Sequence, residues 1–454
     1  ATSPGRQPQQ AAGAAMYLAR SQPEALALAL LCMVCWGSWS NTVVLCGKRL
    51  RFELYYVNYV VSILATALLA ALTLGMISIS GCNPCALRFI PDDLHAGGDR
   101  FCLGMAAGAI FNLANLMLTK GIQMVGLAVA FPLCIGTALV FGTLLTHFLE
   151  GGEDSEPALL FTGVAVAFVA VCFISLVHRL KDAQSEAVSK GRETEKDAER
   201  PQEEASSGPR LELPTGRSPG GRSPSGRSPR SPFSAAQRGT DEEKSPMAIS
   251  PAAVAPPAGG EAATSSAGAA ERGVAAAEQD RHEPGTLRKL LVCITGGVLM
   301  SFWSPLNALA QESFGQPRGR GLSPYGAFLA FCVGTFLSTL PLIPLVLMFP
   351  IEGGARVPMR PVLGEYRRAS CTAHAYGLLG GFVWAIGTLS NSVSGQQLSF
   401  AASYAIGQSA PMISILWGVF LFKEFTGATA TVKALLVLVC ALYVIAIALI
   451  GASH

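Results

Sequence analysis

The sequence predicts an all-α membrane protein of ten transmembrane helices, arranged as two inverted five-helix repeats with a disordered central loop. Three observations predict it. Ten apolar runs are long enough to cross a bilayer, a long polar tract divides them five and five, and residues of one half recur in the other at a constant offset.

The first observation rests on composition and length. Half of the 454 residues are apolar and only 14% are charged, against about a quarter charged in soluble domains, and the mean hydropathy is positive. A hydrocarbon core of about 30 Å needs about 20 residues at the helical rise. The runs that meet this are residues 25–46, 55–79, 101–119, 126–148 and 158–177, then 290–309, 324–349, 373–392, 400–422 and 432–450. The first exceeds the roughly 7–15 residues of a signal h-region, so it reads as a span. The chain opens at Ala1, and Met16 is a candidate initiator.

These runs divide the chain into a tail (1–24), a first repeat (25–177), a linker (178–286) and a second repeat (287–454). The linker is rich in Ser, Pro, Gly, Glu and Arg and too poor in large apolar residues to offset its chain entropy, which predicts disorder. Within it, serines 218, 223, 228 and 231 each stand between an arginine and a proline, a pattern suited to kinases because each phosphate would meet a nearby arginine. Gly221 to Ser228 mimics a phosphate loop. Prolines break both flanks and arginine replaces the lysine, so nucleotide binding is excluded. Most of the twelve cysteines lie in apolar runs as small packers. Cys82 and Cys85 form a Cys-x-x-Cys with no second pair at zinc spacing, leaving a local disulfide as the alternative. No enzyme chemistry, cofactor, metal or nucleic-acid partner is implied.

The repeat is legible in Gly104, Gly108 and Phe111, which match Gly377, Gly381 and Trp384, and in Phe131, which matches Tyr404 at the same offset. The fourth and ninth runs both close with a glycine and an apolar turn, followed by Glu150 or Glu424. Five spans per half is an odd number, so similar halves must lie upside down relative to each other, as in secondary transporters that bind solute near the midplane. Lys48, Arg49, Arg51, Lys120, Arg367, Arg368 and Lys423 fall on one side, which the positive-inside rule makes cytosolic. The linker is then cytosolic and both termini lie outside.

Polar residues inside apolar runs point to a path, because they are costly in hydrocarbon unless paired or lining a cavity. The first run carries Trp36, Trp39 and Asn41, and the sixth carries Trp303 and Asn307 around a mid-helix Pro305. Asn112 and Asn115 share a face of the third. Trp384, Tyr404 and Gln408 come from the eighth and ninth. Amides supply both donor and acceptor and rings supply stacking faces, a combination suited to a small neutral heterocyclic solute. The same amides also serve as glue between helices, and Gly104, Gly108, Gly377, Gly380 and Gly381 read as close helix contacts. Glu150, Glu424 and His147 sit at helix ends, where solvated charge is the expectation and a proton carrier the alternative; facilitated diffusion stays open.

The sequence resembles the ureide permease family of the drug/metabolite transporter superfamily. The resemblance rests on Gly37-Ser38-Trp39, Tyr56-Val57-Asn58-Tyr59, Gly108 with Asn112, Leu113 and Asn115, Gly126-Leu127, and Ala401-Ala402-Ser403-Tyr404-Ala405 running to Trp417-Gly418-Val419. It implies a multi-pass protein, expected in the plasma membrane, that imports allantoin and related oxo heterocycles such as uracil and xanthine, with protons as the implied partner. Plant members look to carry an aspartate where this chain has Asn58. The rival readings are a porter of sugars or other neutral metabolites from a neighbouring branch, and a membrane scaffold that signals through the linker.

Overall fold

A computed structural model describes residues 16–76, 93, 97–126, 129–130, 132–151, 156–199, 285–312, 314, 320–350 and 356–453. Cys82, Cys85, Phe131, the arginine-serine-proline repeats and the phosphate-loop mimic lie outside the described residues. By contacts the chain divides into two units, Ala1–Asp182 with Ile249–His454, and Ala183–Ala248.

The described residues are helical, without strands. In the first half, α1 (Gln22–Ser38) and α2 (Asn41–Cys46) are followed by α3 (Phe52–Leu72), α4 (Gly98–Val125), a π turn (Pro132–Gly136) leading into α5 (Thr137–Leu149), and α6 (Pro157–Glu199). The second half contains α7 (Thr286–Gln311), α8 (Pro324–Met348), a short α9 (Met359–Arg368), α10 (Cys371–Ser394), α11 (Phe400–Gly407), α12 (Pro411–Phe420) and α13 (Ala430–Gly451). Serine and threonine start the helices: the side chains of Ser21, Ser323, Ser370, Ser399 and Thr429 each accept an N–H from the first turn, satisfying donors that have no partner within the helix.

Eight helices among the described residues are long and apolar enough to cross a membrane, whereas the sequence predicts ten spans. The two that fall short of that composition and length are the eighth and ninth runs. α10 has the length, with 24 residues, but its Gly, Ser, Thr and Asn content dilutes its hydropathy. The ninth run divides into α11 and α12 because at Gln408–Ala410 the backbone tightens into i to i+3 bonds, Ser409 N to Ile406 O and Ala410 N to Gly407 O. The first run tightens in the same way at Trp39–Ser40, where Thr42 N bonds Trp39 O. The two interruptions lie close, since a Cβ on Gly37 would stand 2.5 Å from Ala410 O, and beside them Ser414 Oγ donates to Gly37 O (3.0 Å) and Trp417 Nε1 to Ser38 Oγ (2.8 Å). Mid-helix tightening of this kind marks hinges.

A second difference concerns the linker. Residues 178–199, expected to lack regular structure, continue α6 to Glu199. The segment consists largely of Lys, Glu, Gln, Arg and Ala, which lose little freedom in a helix, with Glu186 four residues before Lys190, and the first proline comes only at Pro201.

Helices of the two halves interleave. α4 packs on α7 and α8, while α10 packs on α1 and α3; α7 lies against α5, and α1 against α11 and α12. Glycine seams make the closest of these contacts. A Cβ on Gly104 would sit 2.7 Å from Ala330 Cβ of α8, and one on Gly377 2.6 Å from Asn58 Cβ of α3. One turn on, Gly108 and Gly381 lie against the carbonyls of Phe331 and Tyr59 with no room for a methyl. In lipid, such backbone proximity supplies the dispersion contact that holds helices together. At the chain start, Tyr17 donates to Glu24 (2.6 Å), and that bond pushes the phenol up to about 12.

Candidate functional site

Four of the sequence-predicted residues converge on one aromatic cluster. Trp36 of α1 and Trp384 of α10 lie nearly parallel, 13° apart with centroids 6.4 Å apart. Trp303 of α7 meets Trp36 edge-on at 5.7 Å and Tyr404 of α11 at 5.6 Å. Phe111 of α4 closes one wall, 4.8 Å from Trp384 and 5.9 Å from Trp303, and Phe331 of α8 another, 5.9 Å from Trp384. Trp39 packs on Tyr59 (4.9 Å), which in turn lies 6.1 Å from Trp384. Small residues make the space: Gly387 and Gly407 abut the Trp36 ring, and Gly142 lies against Tyr404.

The amides divide into two groups. Asn112 and Asn115 are consumed by the protein. Tyr56 hydroxyl donates to Asn112 Oδ1 (2.8 Å) and accepts from Asn115 Nδ2 (3.1 Å), while Asn112 Nδ2 reaches Ser338 Oγ (2.8 Å) and Thr339 Oγ1 (3.0 Å) of α8. These two residues therefore join helices. Asn307 behaves differently: its Nδ2 donates to Ser392 Oγ (3.4 Å), but its Oδ1 is buried without a partner among the described residues. Trp303 Nε1 and Tyr59 hydroxyl are also buried and unpartnered. Gln408 is buried at the α11 interruption, one turn past Tyr404, whose hydroxyl donates to Ala138 O (3.2 Å). Asn41, half-buried at the start of α2, takes no part in the cluster's ring contacts.

Thr388 stands out in the sequence as a polar group beside Trp384 in the eighth run, whereas Gln311 was not singled out. Thr388 accepts the Trp36 indole N–H at 3.0 Å. Gln311 extends the face of α7 that carries Trp303 and Asn307, and its Oε1 accepts from Gln396 Nε2 (3.1 Å). A four-residue recurrence, 303, 307, 311, is the signal that marks this stripe.

The charged groups lie away from the rings. The glutamates expected as solvated helix ends are engaged instead. Glu150 accepts Phe400 N (2.6 Å) and Ala401 N (3.0 Å) at the start of α11, where the helix dipole favours a carboxylate. Glu424 pairs with Lys181 (3.4 Å), and His147 is buried edge-on to Phe161 (5.2 Å). Glu53, just ahead of the second apolar run, forms a buried pair with Lys120 at 3.2 Å, their side chains 14% and 3% exposed. Asn58 Oδ1 accepts from Tyr366 hydroxyl (2.6 Å), and its Nδ2 lies 3.0 Å from His374 Nδ1. Arg51 and Glu365 pair at 3.5 Å near the same end.

Membrane-length helices around a core of rings and amides define a multi-pass membrane protein. The ureide permease family profile matches residues 55–213 and 276–453. Among relatives, Ureide permease 1 of Arabidopsis thaliana is 26% identical over 445 residues, covering 96% of this chain and 99% of the relative. Ureide permease 2 of the same plant is 25% identical with the same coverage, and Ureide permease 3 is 30% identical over 177 residues. The chain belongs to the ureide permease family.

Proposed function

We propose that this protein carries allantoin and related oxo heterocycles, uracil and xanthine among them, across the plasma membrane by alternating access. In this reading residues 25–177 and 287–454 are inverted repeats of five spans each, residues 1–24 are a tail, and residues 178–286 are a cytosolic linker open to kinases. The exchange symmetry of the packing supports the repeats: α4 on α7 answers α1 on α10, and α4 on α8 answers α3 on α10. The Gly104–Gly108 seam on α8 answers the Gly377–Gly381 seam on α3.

One observation carries the substrate reading, the near-parallel Trp36 and Trp384 faces contributed by opposite halves. A planar ring sandwiched between them needs the faces about 7 Å apart, twice the ~3.5 Å carbon contact distance, and in this reading the relative movement of α1 and α10 in alternating access admits it. Trp303, Tyr404 and Phe111 supply edges, Asn307 and Gln408 supply polar contacts, and among the described residues the cluster's ring contacts include no Lys or Arg. Protons enter as the partner for coupling.

Uptake of labelled allantoin, uracil and glucose in a transport-deficient host, with and without a pH gradient, tests the reading. Allantoin and uracil accumulate, and Trp36→Ala or Trp384→Ala abolishes uptake at unchanged surface level. Uptake of glucose alone, or no uptake at all, overturns the proposal.

A further inference from the structure

Resting on that reading, we infer that Trp303 and Asn307 form a donor–acceptor pair that selects solutes presenting a carbonyl oxygen and an N–H on one edge. Both side chains are almost fully buried, 2% and 4% exposed. Both nevertheless leave a polar atom unpartnered among the described residues: Nε1 of Trp303, which can only donate, and Oδ1 of Asn307, which can only accept.

Such atoms are rare in folded interiors, because an unmade hydrogen bond away from water is costly. The neighbourhood is not short of partners for indoles. Trp36 Nε1 finds Thr388 Oγ1 at 3.0 Å and Trp417 Nε1 finds Ser38 Oγ at 2.8 Å. Trp303 lies between Trp36, Phe111, Phe331 and Tyr404, whose rings offer it no acceptor oxygen in hydrogen-bonding range. Asn307 stands four residues on along α7, on the same face and about 6 Å further along the axis. Its amide is steadied at the other end by Ser392 Oγ.

A solute lying along this face meets a donor and then an acceptor. A cyclic or open ureide matches, since each carbonyl in it neighbours an N–H. A fully N-methylated ureide keeps the carbonyl and the ring but has lost the hydrogen that Asn307 accepts. An anion lacking an N–H meets Asn307 Oδ1 with like partial charge.

The test is competition against labelled allantoin uptake by hydantoin and by its N-methyl derivatives, on the full-length chain and on Asn307→Leu and Trp303→Phe, with surface level and detergent melting temperature measured in parallel. In the wild type, methylation at the nitrogen facing Asn307 weakens inhibition about tenfold or more, the value of one hydrogen bond at a buried site. In Asn307→Leu, hydantoin falls to the level of its methylated form, so the discrimination disappears. In Trp303→Phe every carbonyl-bearing inhibitor weakens in protein at matched surface level; the melting temperature falls only by the buried ring volume lost, because the indole N–H has no partner to lose among the described residues. Discrimination that persists unchanged in Asn307→Leu, or N-methyl derivatives that inhibit the wild type as well as hydantoin does, overturns this inference alone. A wild type at the surface that imports no ureide overturns the proposed function beneath it.

Discussion

Replacing Gly108 by alanine adds one methyl at the tightest point of the α4–α8 seam. A Cβ there would overlap the carbonyl of Phe331 and stand 2.9 Å from Thr335 N, both backbone atoms that cannot turn aside. Ordinary contact is about 3.5 Å, so the helices must part. Parting stretches Thr335 Oγ1 to Gly108 O (3.1 Å) and the bonds from Asn112 to Ser338 and Thr339 one turn on. Overpacking costs about 1–3 kcal/mol, and interhelical hydrogen bonds in membranes average about 0.6 kcal/mol each, which with three bonds lost places the total near 3–5 kcal/mol. Gly364, on exposed α9, has nothing within reach of an added Cβ, and alanine there is neutral or stabilising. Melting of the detergent-solubilised protein, followed by fluorescence size exclusion, compares the two variants. Gly108→Ala melts well below wild type and Gly364→Ala does not. Equal melting of all three would refute the idea that backbone proximity at this seam holds the halves together.

Other perturbations report on other contacts. Asn112→Leu loses its bonds to Tyr56, Ser338 and Thr339 and lowers stability by about 1–2 kcal/mol, visible as a lower melting temperature with solute selectivity unchanged. Glu53→Gln removes the carboxylate that pairs with buried Lys120 and lowers stability by about 1–3 kcal/mol, of which the Glu53→Gln, Lys120→Met double variant recovers most; a double variant no better than the single would show that the pair is not coupled. Glu150→Gln weakens the cap on α11, so uptake falls with little loss of surface protein. Removal of residues 201–278 leaves uptake intact if the apolar runs alone form the carrier, as proposed; lost uptake with normal surface level would favour a scaffold role.

Much of the site is legible in the residue types alone. Tryptophans and amides inside apolar runs stand out because lipid penalises unpaired polar atoms, and that penalty directed attention to Trp36, Trp303, Trp384 and Tyr404, which do meet. It does not say which polar atoms the protein satisfies for itself. Asn112 and Asn307 look alike in sequence, yet one spends its amide on Tyr56 and α8 while the other keeps an oxygen unpartnered. Glu53 escaped notice because it precedes an apolar run, where a carboxylate normally faces water; its burial depends on Lys120, distant in sequence.

Hydrophobic run length and polar spacing are local properties of the chain, and from them follow a helical membrane protein, its longest spans, the glycine seams and a supply of rings and amides within the spans. Pairing is decided by elements that meet only after folding. The hinge-like tightening at Trp39 and Gln408, the engagement of Glu150 with α11, and the division between satisfied and unsatisfied amides depend on which helix lies opposite. A side chain's hydrogen-bond account is closed by neighbours hundreds of residues away, and no local pattern encodes them.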